Sequence, residues 1–94
     1  MTKTGKLRIL FVDDEIVMLQ SLARSLRIMH KEWDCEYVSS GKEALSVLSH
    51  ESYDLVVSDM RMPEMDGAEL LTQVKHLYPE TMRLVLTGQT EERV

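Results

Sequence analysis

Short apolar runs, each followed by a stretch of helical period, limit this chain to an alternation of strands and helices. LRILFV (Leu7 to Val12) is rich in branched residues and reads as a buried strand. From Asp13 to Trp33 the period changes, with Leu19, Leu22, Leu26, Met29 and Trp33 recurring at three and four. That spacing predicts a helix with one apolar stripe.

The pattern then repeats. Asp34 to Val38 suits an edge strand, because Asp34 and Glu36 discourage pairing with other chains. Ser40 and Glu43 form an S-x-x-E capping box that opens a second helix, with Ala44, Leu45, Val47 and Leu48 on its buried side. YDLVVSD is a third strand, almost continuously apolar as expected when both faces are covered. Asp66 and Glu69 start a third helix with Leu70, Leu71, Val74 and Leu77 inward, and Pro79 ends it. Arg83 to Leu86 is a fourth strand running into Thr87 and Gly88, and Gln89 to Val94 read as a helix start that stops within its first turn.

Strands alternating with helices pair in parallel through right-handed crossovers, which predicts an α/β doubly wound sheet with helices on both faces. At 94 residues there is room for one domain. The apolar fraction of 44% and charged fraction of 29% are those of a globular chain rather than a disordered one. A net charge of -5 with scattered basic residues argues against a nucleic-acid surface; Lys3, Lys6 and Arg8 read as a solvated terminus. The single cysteine, Cys35, has no internal disulfide partner, is assigned to packing and suits a reducing compartment. The first apolar run is too short for a signal-peptide core or a membrane span, so the expected location is cytoplasmic, with no membrane partner.

In open parallel sheets ligands bind beyond the carboxyl ends of the strands. There the sequence places Asp13, Asp14 and Glu15 after the first strand, Ser39 and Ser40 after the second, Asp59 after the third and Thr87 after the fourth. If the first and third strands are neighbours, three carboxylates converge and repel, and a cation relieves them. An all-oxygen set selects a hard metal such as Mg²⁺. The three histidines, His30, His50 and His76, fall on helices away from this edge.

Acids after strands often cap helices, and Asp13 or Asp14 could do so. Asp59 is different, because Pro63 and the Asp66 cap set the next helix start several residues later. A carboxylate beside Mg²⁺ can act as a nucleophile toward a phosphoryl group. A hydroxyl at Thr87 could bond one of that group's oxygens, and Gly88 leaves room for it to enter.

FVDDE after the first strand, SDMRMPEMDG around the end of the third and VLTG after the fourth together resemble the receiver domain of bacterial two-component response regulators. The resemblance covers essentially the whole chain and implies the flavodoxin-like strand order 2-1-3-4-5. It implies Asp59 as phosphoacceptor from a histidine kinase or phosphotransfer protein. Asp14 would bind Mg²⁺ directly, Asp13 largely through water, and the main-chain carbonyl of Arg61 would be a further ligand. Thr87 would be the switch hydroxyl and Gly88 the small residue that permits access. Such a domain is a signalling switch rather than an enzyme.

Receiver domains continue through a fourth helix, a fifth strand with a lysine that pairs with the phosphoryl group, and a fifth helix. No residue here takes the lysine's role, so the expectation is a domain of residues 1–94 truncated at its C-terminal side, with impaired phosphotransfer. An unpaired fourth strand and an uncovered apolar face predict a homo-oligomer or domain-swapped dimer. The competing readings are an interaction module of the same fold that is not phosphorylated and, ranked last, a Mg²⁺-dependent aspartyl phosphohydrolase. The latter wants a D-x-D pattern, where this chain has Asp13-Asp14.

Overall fold

The computed structural model describes residues 5–86. In chain order they form β1 (Leu7–Val12), α1 (Ile16–Leu26), a 3-10 turn (Arg27–Met29), β2 (Trp33–Val38), α2 (Gly41–Leu48), β3 (Leu55–Asp59), α3 (Gly67–Leu77) and β4 (Met82–Leu86). The strands make one parallel sheet in the order β2-β1-β3-β4, so β1 and β3 are central neighbours and β2 is an edge. This is the doubly wound, flavodoxin-like arrangement. Thr87 and Gly88, together with the helix start at 89–94, lie outside the described residues.

Alternation along the strands divides the core into two layers. Leu10, Val12, Val38 and Val56 face α2 and α3, where Ala44, Leu48, Leu70 and Val74 meet them. Ile9, Phe11 and Val57 face the other way and pack with Leu19, Leu22 and Leu26 of α1. β1 and the middle of β3 are thus covered on both sides, which is why their sequences carry almost no polar residue.

Four local expectations change. Trp33 is the first residue of β2, paired with Leu7, rather than the end of the first helix. The α-helix stops at Leu26, and its apolar period continues through the 3-10 turn by coincidence of spacing. Ser40 caps α2 by accepting the Glu43 N–H, but the Glu43 carboxylate bonds the N–H and hydroxyl of Ser39 instead of closing the box on Ser40. Leu77 is 57% exposed, because α3 ends there and Tyr78 packs against the core in its place.

The fourth change concerns Arg8, whose side chain is not solvated. Its guanidinium pairs with Asp34 at 3.2 Å and Glu51 at 2.7 Å, donates to the Ser52 carbonyl and lies 4.4 Å from the centre of the Tyr53 ring. Alongside, the Asp54 carboxylate accepts the Arg8 N–H, the Asp54 N–H donates to the Arg8 carbonyl, and the Asp54 carbonyl accepts from Met82. The buried Thr81 hydroxyl donates to the Tyr53 carbonyl. These bonds tie β1, β2 and the entries to β3 and β4 together at the amino edge of the sheet.

Candidate functional site

The opposite edge is built by chain direction alone. Parallel strands end on the same side, so the residues that follow β1 and close β3 meet there. Val12 pairs with Ser58, and the next residues onward are Asp13 and Asp59. One carboxylate oxygen from each of Asp13, Asp14 and Asp59 lies within 4.8 Å of the others. The convergence expected from the sequence is present.

None of these acids serves as a helix cap. The N-cap of α1 is Glu15, which makes no side-chain capping bond. Asp13 instead accepts the Glu15 N–H at 2.9 Å, a local turn of the kind short acidic side chains make. Asp66 caps α3 with a complete box, accepting from Glu69 while the Glu69 carboxylate accepts the Asp66 N–H. Asp59 is therefore released from any role in starting the helix.

Electrostatics mark Asp59 out. Its carboxyl is held above the ordinary 3.8, first by burial and then by the charge of Asp13, with Asp14 and Glu15 adding to it. The nearby Met60 N–H opposes the shift. Three half-buried or exposed carboxylates with only oxygen donors fit a hard divalent ion and do not fit zinc, which prefers nitrogen and sulfur. Mg²⁺ would be held by Asp13, Asp14 and Asp59.

The loop from Met60 to Asp66 is anchored by the buried Met62. It reverses at Glu64, a non-glycine residue with φ 70°, where the Met65 N–H bonds the Pro63 carbonyl at 2.7 Å. Arg61 is exposed in this loop, two residues past Asp59 at the same end of the sheet. Ser39 and Ser40 are taken up by the start of α2.

The histidines stay away from the site. His30 and His50 bring Nδ1 within 3.1 and 2.9 Å of the Arg27 and Ser46 carbonyls at helix ends, and His76 lies exposed in the last turn of α3. Cys35 packs beside the α1-side cluster, and burial pushes its thiol upward, as expected of a packing residue. No helix among the described residues is long and apolar enough to cross a membrane.

Sequence reasoning missed two groups packed on the Asp59 backbone, Ser58 and Gly67, the latter a position where a Cβ would collide with the Asp59 carbonyl oxygen. Ser58 is fully buried at the end of an apolar strand, and its hydroxyl donates to the Asp59 carbonyl at 2.9 Å. A polar residue flanking the acid was the available signal.

Comparison with known proteins agrees with this geometry. The model of the response regulator receiver domain matches residues 9–94. The transcriptional regulatory protein GlrR of Escherichia coli K12 is 38% identical over 80 residues, covering 85% of this chain and 18% of GlrR. The response regulator MprA of Mycolicibacterium vanbaalenii is 37% identical over 89 residues, 93% of this chain and 38% of MprA. The chain thus spans well under half the length of these relatives. Among solved structures, the signal receiver domain of an HD domain-containing protein from Pseudomonas fluorescens Pf-5 superposes with a TM-score of 0.84 at 34% identity, covering 92% of this chain and 67% of that one. The chemotaxis response regulator CheY4 of Vibrio cholerae gives 0.81 at 31% identity, covering 92% and 72%.

Proposed function

The chain belongs to the response regulator receiver family, and from that premise we propose that Asp59 accepts a phosphoryl group from a histidine kinase or phosphotransfer protein and so switches an output. The observation that carries this is the meeting of Asp13, Asp14 and Asp59 at the carboxyl edge, with Asp59 free of any capping duty.

In this reading a carboxylate oxygen of Asp59 attacks phosphorus in line, the bond from phosphorus to the donor breaks, and the donor leaves with the electron pair. Asp13, Asp14, Asp59 and the main-chain carbonyl of Arg61 would hold Mg²⁺, which would supply positive charge against the acids and the incoming oxygens. Thr87, directly after β4, bonds one phosphoryl oxygen, and Gly88 keeps the approach open. The domain works as a switch, consumed and reset by other proteins, rather than as an enzyme acting on a free substrate. Relatives named as transcriptional regulators support an output in gene control. A kinase-supplied phosphoryl group goes with a cytoplasmic location.

Self-association belongs to the same proposal. On the α1 side of β4, Met82, Leu84 and Leu86 form an exposed apolar stripe beside Leu55 and Val57. An exposed strand with such a face supports pairing with a second copy. Sedimentation giving a dimer or larger species is the expected result, and a stable, well-folded monomer sinks this part.

The phosphoacceptor reading is tested by intact mass after incubation with Mg²⁺ and acetyl phosphate. The expected result is a gain of one phosphoryl group that disappears in Asp59→Asn. A gain that persists in that variant, or no gain in the unaltered chain, overturns it.

A further inference from the structure

The loop between β3 and α3 meets the start of α2 through a thioether. Met65, the residue before the Asp66 cap, is partly buried against the core and lies on Gly41, the first residue of α2. A Cβ at Gly41 would stand 2.7 Å from the Met65 Sδ and 3.1 Å from its Cγ, so the Met65 side chain fills the space that a side chain at 41 would take. That contact has no slack.

The Gln73 side-chain amide donates to the same sulfur at 3.9 Å. Met65 and Gln73, with Ala68 and Thr72, also line a groove of about 450 Å³ on the α3 face. The groove admits a molecule as small as a peroxide to the side of Met65. A thioether is only a weak acceptor for an amide, whereas the oxygen of a sulfoxide is a strong one. The donor for an oxidised Met65 is therefore already in place.

We propose that Met65 is an oxidation site for small peroxides, its sulfoxide held by Gln73 and too large for the contact with Gly41, so that oxidation loosens the β3–α3 loop from α2. A sulfur lone pair attacks one peroxide oxygen and the O–O bond breaks. The transferred oxygen gives its proton to the departing one, so hydrogen peroxide leaves as water. Sulfur loses two electrons and the peroxide gains them. The site is independent of the phosphoacceptor reading.

The test exposes the unaltered chain and Met65→Leu to hydrogen peroxide, then reads peptide mass, Tm and the Gln73 side-chain amide resonance by NMR. Leucine keeps the volume and removes the sulfur. Met18 and Met82, 40% and 69% exposed, are oxidised in both proteins and serve as the internal reference. In the unaltered chain Met65 gains one oxygen, the Gln73 amide moves, and Tm falls by about 5 °C. In Met65→Leu the Gln73 amide stays and Tm falls by under about 1 °C. A Met65 left unconverted once Met18 and Met82 are converted, an unmoved Gln73 amide, or equal changes of Tm in the two proteins overturns the proposal.

Discussion

The two edges of the sheet are both crowded with acids and treat them in opposite ways. At the amino edge Asp34 and Glu51 share the Arg8 guanidinium, which also lies over Tyr53. At the carboxyl edge the charges that act on Asp59 are those of Asp13, Asp14 and Glu15, all of its own sign. Arg8 pulls the Glu51 carboxyl below the ordinary 4.5, while Asp59 is pushed above 3.8. One edge is closed by internal pairing and holds the strands together. The other keeps an unrelieved charge that a cation from solvent can answer, which is the condition a reactive site needs.

The largest expected effect is at the closed edge. Arg8→Ala removes two ion pairs, a bond to the Ser52 carbonyl and the packing on Tyr53, and should lower the unfolding free energy by about 2 kcal/mol in a urea titration. A loss confined to a few tenths would show that the amino edge does not hold the fold and would weaken the contrast.

At the open edge, Mg²⁺ should stabilise the protein. At ten times its dissociation constant the gain is about 1.4 kcal/mol, read as a rise in Tm, and it should vanish in Asp14→Ala. The same addition should leave the cost of Arg8→Ala unchanged, because the two edges share no partner.

A smaller effect carries a sign. Asp59 binds its proton more tightly folded than unfolded, so its ionisation costs stability as pH rises through the raised folded value. Asp59→Asn should therefore raise the unfolding free energy at neutral pH, by under about 1 kcal/mol for so open a group, and the gain should fade as pH falls below 3.8. Glu51 runs the other way. Its contribution is present above 4.5 and lost as pH falls through the lowered folded value. Glu51→Gln should cost the least of the four changes, most visibly at low salt, and the cost should disappear in acid.

The contrast between edges also explains what could be read from the sequence. Strand direction and the chain position of an acid are local facts, so β1, β3 and the convergence of Asp13, Asp14 and Asp59 were legible in the order of residues. The clasp at the amino edge was not, because Arg8 lies 26 residues from Asp34 and 43 from Glu51, and nothing near Arg8 signals either partner. Trp33 was misplaced because an apolar residue at helical spacing is equally at home facing α1 from β2. Ser58 was passed over because a polar residue flanking an acid suits any strand end, and only the bond of its hydroxyl to the Asp59 carbonyl distinguishes it.

The most direct test locates the phosphoryl group itself. After treatment with Mg²⁺ and acetyl phosphate, reduction with borohydride converts an acyl phosphate on aspartate to homoserine, which peptide mass mapping assigns to one position. Conversion at residue 59 alone is the predicted result. Conversion at Asp13 or Asp14, or at no residue in this chain, contradicts the account.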